Sequence, residues 1–215
     1  MSMGPSGPAG VVSAALPVPE SDDLGRYLED TITIDWQTPS VSELAGRLVA
    51  GIEDPEERVR RLFAFVRDEV DHALDVETEV LTCRASEVLR ERVGLCYAKS
   101  HLLAAMLRYA GFPTGFCYVR LASDAAPDRF VLHAFNAVYW KPVDDWIFLD
   151  ARGGRAGAAI GCRFRGPFEL LAWPDADRGE AFLPTIHRRP ARRIVDLLER
   201  APDLASVRRH LPDSI

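Results

Sequence analysis

One apolar helical segment restricts the possible folds of this chain more than any other feature. The stretch GLCYAKSHLLAAMLRYAGFP runs from Gly94 to Pro113. Apolar residues cover most of the circumference of the predicted helix at 96–110, and such a helix usually lies at the centre of a core. Gly111 and Pro113 follow it, as is typical after a helix C-terminus. We therefore expect other elements to pack around this helix.

The segments on either side of the central helix differ in their hydrophobic period. Residues 39–50 and 55–70 have the 3.6-residue spacing of amphipathic helices, and Asp54 with Pro55 provides an N-cap and a first-turn proline. A short helix is expected over ASEVLRER, with Ser86 as its cap. After the central helix the period changes to two, in GFCYVRL, RFVLHAFNAVYW and DWIFLDAR. Close spacing predicts an antiparallel meander, and helices followed by strands predict an α+β fold.

The remaining segments define the predicted domain organisation. Residues 1–20 are rich in Gly, Pro, Ala and Ser, which predicts a flexible extension. Residues 21–215 are expected to form a single domain with its core at about 55–155 and a helical C-terminal extension, interrupted near Pro202. The segment TITIDW could be a short strand or an extended arm.

Composition and charge exclude several classes of function. The net charge is -6 and the sequence pI is near 5.4, so we expect neither a nucleic-acid partner nor an anionic membrane surface. The N-terminus lacks the basic and apolar regions of a signal peptide, and no apolar run is long enough to cross a bilayer. The four cysteines lack CxxC spacing. We expect free thiols in a reducing cytoplasm.

Three residues of reactive type occupy informative positions. Cys96 begins the central helix, His133 lies within the second predicted strand, and Asp150 ends the third. A thiol becomes a useful nucleophile when its pKa falls from about 8.5, so that thiolate exists at neutral pH. It also needs a base within hydrogen-bond reach and an acid that fixes the tautomer of that base. Neighbouring antiparallel strands could bring His133 and Asp150 together, because opposed side chains lie about 5 Å apart.

The start of the central helix lacks an ordinary cap. Helices prefer Ser, Thr, Asp or Asn there, whereas this one begins with Gly-Leu-Cys-Tyr. Uncapped N–H groups and the positive end of the helix dipole could stabilise a thiolate, and the Cys96 N–H could hold an oxyanion. Taken singly, such a cysteine is usually a small buried residue, a strand histidine is usually structural, and an aspartate before Gly-Gly usually forms a turn. The coincidence of all three favours a reactive site.

The residues around these positions resemble a known family. GLCYAKSHLLAAMLRYAGFPTGFCYVRL, FVLHAFNAVYW and WIFLDARGG follow the order of the core motifs of the transglutaminase-like superfamily. VRDEVDHALD and RASEVL resemble flanking segments of its bacterial branch. The resemblance covers much of residues 55–155. It implies a papain-like α+β core, with the nucleophile on the central helix and a catalytic triad of Cys96, His133 and Asp150.

The resemblance also implies acyl transfer from an amide or a related carbonyl. The Cys96 thiolate would attack, His133 would protonate the leaving amine, and water or an amine would resolve the thioester. The chain lacks the β-sandwich domains and calcium-site segments of animal cross-linking enzymes, which favours hydrolysis. We expect a protein, peptide or small amide substrate, no cofactor and no metal. An amine-accepting transglutaminase and a non-catalytic binding module on the same fold are the alternatives.

A second oxyanion donor is not identified by any upstream motif, although relatives use a side chain upstream of the cysteine. Tyr97, His72 and Gln37 are candidates. We expect packing for Tyr97, a loop position for His72 and exposure for Gln37. Arg152 is expected to pair with a carboxylate, and His101 to point away from the site.

Overall fold

The computed structural model describes residues 15–123, 126–153 and 160–215. The helices in this part of the chain are α1 (Pro39–Val49), α2 (Pro55–Asp68), α3 (Ala85–Glu91), α4 (Cys96–Tyr109), α5 (Arg192–Arg200) and α6 (Leu204–Arg209). The strands are β1 (Val18–Pro19), β2 (Asp71–His72), β3 (Val93–Gly94), β4 (Thr114–Ser123), β5 (Ala126–Trp140), β6 (Asp145–Leu149), β7 (Ala181–Phe182) and β8 (Thr185–Ile186). Single 3₁₀ turns lie at Leu24–Tyr27, Lys141–Val143 and Ala176–Arg178.

The central helix α4 is buried along nearly its whole length. Every residue from Tyr97 to Arg108 is buried, as its broad apolar surface predicts. Helices α1, α2 and α3 pack on it, and so do strands β5 and β4. The packing therefore fixes both the position and the rotation of its first turn, where Cys96 lies.

The amphipathic helices before α4 form as predicted. The Asp54 carboxylate accepts the Glu56 N–H at 3.0 Å, so α2 has the predicted N-cap. Its inward face consists of the buried residues Val59, Leu62, Phe63 and Val66. The predicted helices are confirmed because their apolar spacing and their caps agree.

The strands after α4 form the predicted meander with one addition. The sheet order is β6-β5-β4-β7, and every neighbouring pair is antiparallel. Strand β7 arrives from much later in the chain and pairs Phe182 with Val119 on β4. The α+β architecture is confirmed, with the helices layered on one antiparallel sheet.

The strand register brings two of the predicted site residues to neighbouring positions. Val119 on β4 faces His133 on β5, and Asn136 on β5 faces Leu149 on β6. Asp150 follows directly after β6 and is therefore diagonal to His133 across the two strands. A diagonal pair is within reach of an imidazole ring and a carboxylate.

Two details at the N-terminal side differ from the prediction. Residues 1–14 of the predicted flexible extension lie outside the described residues, but Val18 and Pro19 pair in parallel with Thr185 and Ile186. The boundary at residue 20 is therefore wrong, because backbone hydrogen bonds attach β1 to the domain. The segment 31–36 forms bends and turns rather than a strand.

The predicted cap of α3 is also wrong. The helix begins at Ala85, one residue before Ser86. The Ser86 N–H and hydroxyl instead donate to the Asp35 carboxylate, the N–H at 3.0 Å. The local sequence predicts that Ser86 caps the helix, but Ser86 bonds instead to a residue that is distant in the chain.

The C-terminal region contains the predicted interrupted helix, as α5 and α6 on either side of Pro202. The Asp, Ala and Pro residues of 123–128 also predict a turn there. Residues 124 and 125 lie outside the described residues, and β5 begins at Ala126. Across the three described ranges, no helix is long and apolar enough to cross a bilayer.

Candidate active site

Cys96 is the first residue of α4, at the edge of the core. Leu95 occupies the N-cap position, and its side chain makes no capping hydrogen bond. Cys96 is partly exposed, whereas the residues that follow it on α4 are buried. Gly94 lies close to the helix, since a Cβ there would come within 3.1 Å of the side chains of Ala98 and Thr82. The thiol therefore lies at a helix start that is firmly attached to its surroundings.

His133 and Asp150 form a buried pair. The His133 Nε2 lies 2.7 Å from Asp150 Oδ2. The same carboxylate accepts the Leu171 N–H at 2.9 Å and the Arg152 N–H at 3.1 Å. Because Nε2 of His133 is hydrogen-bonded to Asp150, the other ring nitrogen, Nδ1, is the one available to the thiol.

The Cys96 thiol and the His133 imidazole are close enough for each to shift the pKa of the other. Burial alone would raise the pKa of the thiol, but hydrogen bonds to His133 and His72 and the charge of these rings lower the pKa to about 6. At neutral pH the sulfur is then largely thiolate, the reactive form of cysteine.

The pKa values of the His133 imidazole and the Asp150 carboxylate shift in opposite directions. Burial lowers the pKa of His133, but the charge of Asp150, its hydrogen bond and the Cys96 thiol raise this pKa to about 10. Burial raises the pKa of Asp150, whereas His133 and the Leu171 and Arg152 N–H groups lower it below its ordinary value. The resting arrangement is a thiolate–imidazolium pair beside a carboxylate.

The other cysteines lack such partners. Burial raises the pKa of Cys83 and of Cys162 to about 12, and raises that of Cys117 far above its ordinary value. All four thiols are free. Cys96 is therefore the cysteine on which the fold confers thiolate character.

The remaining candidates from the sequence have structural roles, with one exception. Tyr97 is buried and donates its hydroxyl to the Leu132 carbonyl, and Gln37 is exposed. Arg152 pairs with Asp75 at 2.9 Å, as expected. His101 Nδ1 lies 2.7 Å from the Cys83 carbonyl.

The exception is His72, for which a loop position was predicted. It is buried on β2, and its Nε2 accepts the Cys96 N–H at 3.1 Å. Sequence reasoning underestimated it because two-residue strands leave no periodic signal. The sequence hints at it only through the family-like segment VRDEVDHALD, in which it lies 24 positions before the cysteine. Within the described part of the chain, no cluster of three or more His, Cys, Asp or Glu side chains is arranged to bind a metal ion.

Comparison with known proteins identifies the family. The model of the transglutaminase-like superfamily matches residues 42–151, just over half of the chain, and this segment includes Cys96, His133 and Asp150. The chain belongs to the transglutaminase-like superfamily. Its helices and antiparallel sheet are the transglutaminase-like core that the motifs implied.

Two solved structures are similar to this chain. A proposed cysteine protease from Cytophaga hutchinsonii is 21% identical, with 63% of this chain and 45% of that chain covered and a TM-score of 0.49. The periplasmic domain of TgpA from Pseudomonas aeruginosa is 19% identical, with 60% and 46% covered and a TM-score of 0.45. The transglutaminase-like chain thus spans less than half the length of these structures. A search of curated proteins gave no match.

Proposed function

We propose that this transglutaminase-like protein is a thiol-dependent acyl-transfer enzyme that hydrolyses amide or peptide bonds through Cys96, His133 and Asp150. The observation that supports the proposal is the arrangement of thiol, imidazole and carboxylate, in which His133 lowers the pKa of Cys96 and Asp150 binds the His133 ring. Its His133–Asp150 link is 2.7 Å long and buried. These three groups supply the nucleophile, the proton carrier and the group that orients the carrier.

In the first half-reaction the Cys96 thiolate attacks the carbonyl carbon, and the π electron pair moves onto the oxygen. The C–N bond then breaks as the oxyanion collapses, and the imidazolium of His133 gives its Nδ1 proton to the leaving amine. A thioester on Cys96 and neutral His133 remain. Asp150 holds Nε2 throughout, so the ring keeps Nδ1 directed towards the reacting atoms.

In the second half-reaction His133 takes a proton from water as the water oxygen attacks the thioester. Collapse of this intermediate breaks the C–S bond and releases a carboxylic acid, and the thiolate–imidazolium pair is restored. We propose water as the acceptor because water needs no dedicated acceptor pocket, whereas an amine substrate needs one.

Alkylation and acylation of the purified protein test the proposal. Iodoacetamide should label Cys96 much faster than Cys83, Cys117 and Cys162, and a library of acyl-electrophile probes should label the wild type but not Cys96→Ala. Equal, slow labelling of all four cysteines would contradict the proposal and favour a non-catalytic binding module.

The acceptor can be tested with the same protein. With p-nitrophenyl acetate as acyl donor, we expect acetate as the product even when a fluorescent primary amine is present. Accumulation of the acetylated amine at the expense of acetate would identify an amine-accepting enzyme instead.

We also propose a cytoplasmic setting, because all four cysteines are free and a reducing compartment keeps them so. Fractionation of cells that express the native gene should recover the protein with cytoplasmic markers. Recovery with periplasmic or extracellular markers would contradict this proposal.

A further inference from the structure

A bidentate ion pair joins two chain segments that meet beside the candidate active site. The Arg152 guanidinium donates from Nη1 and Nη2 to Oδ2 and Oδ1 of Asp75, at 2.9 and 3.0 Å. The two residues are 77 positions apart in the chain. Their side chains are only 12% and 23% exposed, so solvent screens this pair less than it screens a surface pair. Bidentate geometry fixes the direction of such a contact as well as its length.

On one side, the ion pair connects to the carboxylate of the triad. The Arg152 backbone N–H donates to Asp150 Oδ1 at 3.1 Å, while Oδ2 of the same carboxylate lies 2.7 Å from His133 Nε2. The guanidinium also donates to the Gly153 carbonyl at 3.0 Å. A shift of Arg152 would therefore turn the carboxylate that orients the imidazole.

On the other side, the ion pair connects to the amide of the nucleophile. The Asp75 N–H donates to the His72 carbonyl at 2.8 Å, and the His72 ring accepts the Cys96 N–H at 3.1 Å. Because Cys96 and His133 are close enough for each to shift the pKa of the other, these contacts close a ring. In order, the members of the ring are Cys96, His72, Asp75, Arg152, Asp150 and His133.

The segment that carries Asp75 is irregular. Residues 73–84 lie between β2 and α3 and form turns and bends, and Val76 and Val80 are exposed. Residues 76–79 border a cavity of about 610 Å³ that they share with α6. The segment is therefore loosely packed against α6, and the ion pair with Arg152 fixes its position at the site.

We propose that Arg152 and Asp75 are positioning residues, whose ion pair keeps the Asp150 carboxylate and the His133 ring aligned with Cys96. The inference rests on the proposed function, and neither side chain needs to touch the substrate. When the pair is broken, the segment that holds the Cys96 amide and the segment that holds Asp150 move independently. The imidazole is then aligned with the sulfur for a smaller fraction of the time.

Two measurements on the same sulfur separate positioning from folding. Alkylation by iodoacetamide, at its high-pH plateau, needs only the Cys96 thiolate, which displaces iodide at a CH₂ group. Hydrolysis of p-nitrophenyl acetate begins with a burst of p-nitrophenol as the thiolate is acylated. It then continues only as fast as water attacks the thioester, and in this step His133, aligned by Asp150, takes a proton from the water. Loss of alignment should therefore slow steady hydrolysis and spare alkylation.

The variants remove the ion pair from either side and leave the backbone N–H groups in place. In Arg152→Gln and in Asp75→Asn, we expect steady hydrolysis, after subtraction of the Cys96→Ala rate, to fall about 10- to 100-fold. The double variant should fall no further than the slower single variant, because both changes break the same contact. Alkylation should keep the wild-type plateau rate in all three.

Two further variants complete the experiment. Arg152→Lys keeps the charge but loses the bidentate geometry, so its hydrolysis rate should lie between those of wild type and Arg152→Gln. Arg47→Gln, which breaks an exposed ion pair on α1, is the control and should match wild type. If Arg152→Gln does not fold, Asp75→Asn and Arg152→Lys test the same contact.

Three results would overturn the inference. Unchanged hydrolysis in the folded single variants would mean that the ion pair does not align the site. Losses that multiply in the double variant would mean that the two residues act separately. Equal losses in alkylation and hydrolysis, with loss of the circular-dichroism signal, would indicate a structural role. Failure of the wild type to show preferential alkylation of Cys96 would instead contradict the proposed function itself.

Discussion

The backbone groups at the two ends of α4 are hydrogen-bonded in different ways. At its start the N-cap residue makes no side-chain hydrogen bond, and the first amide donates instead to an imidazole nitrogen of His72. At its end backbone donors satisfy the carbonyls: the Ala110 N–H donates to Met106 and the Phe112 N–H to Leu107. We call the start of α4 the adaptable end, because a side chain binds its first amide. We call its C-terminus the fixed end, because backbone N–H groups bind its carbonyls.

Arg108 is the clearest feature of the fixed end. Its guanidinium is buried and donates to the carbonyls of Thr114, Glu29 and Arg188 at 2.6 to 3.1 Å. Burial lowers its pKa to about 10, so the group stays charged at neutral pH. A cation is favourable at a helix C-terminus, and here it joins three chain segments through their carbonyls. The comparison teaches that one helix can carry a thiol of lowered pKa at its start and a buried cation that joins chain segments at its end.

The largest expected effect concerns Asp150, whose partner His133 lies beside Cys96 at the adaptable end of α4. Asp150→Asn should reduce the acylation rate about 1,000-fold or more, because the amide cannot hold the imidazolium as the carboxylate does. The burst of p-nitrophenol from p-nitrophenyl acetate measures this rate. Asp145→Asn, at the exposed start of β6, is the control and should react like wild type. A loss below tenfold in Asp150→Asn would show that the carboxylate is not part of the reactive unit.

The next prediction concerns the pH profile of the thiol. The rate of Cys96 alkylation should rise with pH and reach half its plateau near pH 6, because thiolate forms above a pKa of about 6. In His133→Gln the midpoint should move up by about 2 pH units, towards the ordinary thiol value. Iodoacetamide rates between pH 4 and 10 measure both midpoints. Identical midpoints in the two proteins would contradict the thiolate–imidazolium pair.

A smaller effect tests the fixed end. Arg108→Leu should lower the free energy of unfolding by about 2 kcal/mol, since it leaves buried carbonyls without donors. Urea denaturation measures this change. The exposed Arg200→Leu, at the end of α5, is the control and should change stability by no more than about 0.5 kcal/mol. If the comparison is correct, the alkylation midpoint of Cys96 stays at its wild-type value in folded Arg108→Leu.

The smallest expected effect concerns the residue after α4. Gly111 has a φ of +86°, a conformation that strains side chains with a Cβ, although no atom would obstruct one there. Gly111→Ala should therefore cost about 1 kcal/mol of stability. Gly111→Asn should cost less, because asparagine tolerates this conformation. Equal losses in the two variants, measured in urea, would contradict the conformational explanation.

Much of this fold could be predicted because its signals are local. The capped start of α2, the apolar surface of α4 and the alternation of β4 to β6 each lie within one segment. They gave the correct order of helices and strands, and they placed Cys96 at the start of α4, His133 on β5 and Asp150 at the end of β6, directly after which it lies. Ser86 failed as a cap because Asp35, 51 positions earlier, provides its partner. Similarly, β1 pairs with a strand more than 160 residues away, and local composition carries no trace of such pairing.

The sequence by itself determined that a cysteine begins a core helix, that a histidine lies on a strand and that an aspartate lies at the end of the next strand. Periodicity and turn residues are sufficient for that conclusion, because they act over a few residues. Only the tertiary structure decided the surroundings of these groups: the Leu171 amide on Asp150, and the His72 ring on the Cys96 amide. Those contacts join segments 21 and 24 residues apart in the chain. Their geometry depends on how the whole core packs, which no local pattern encodes.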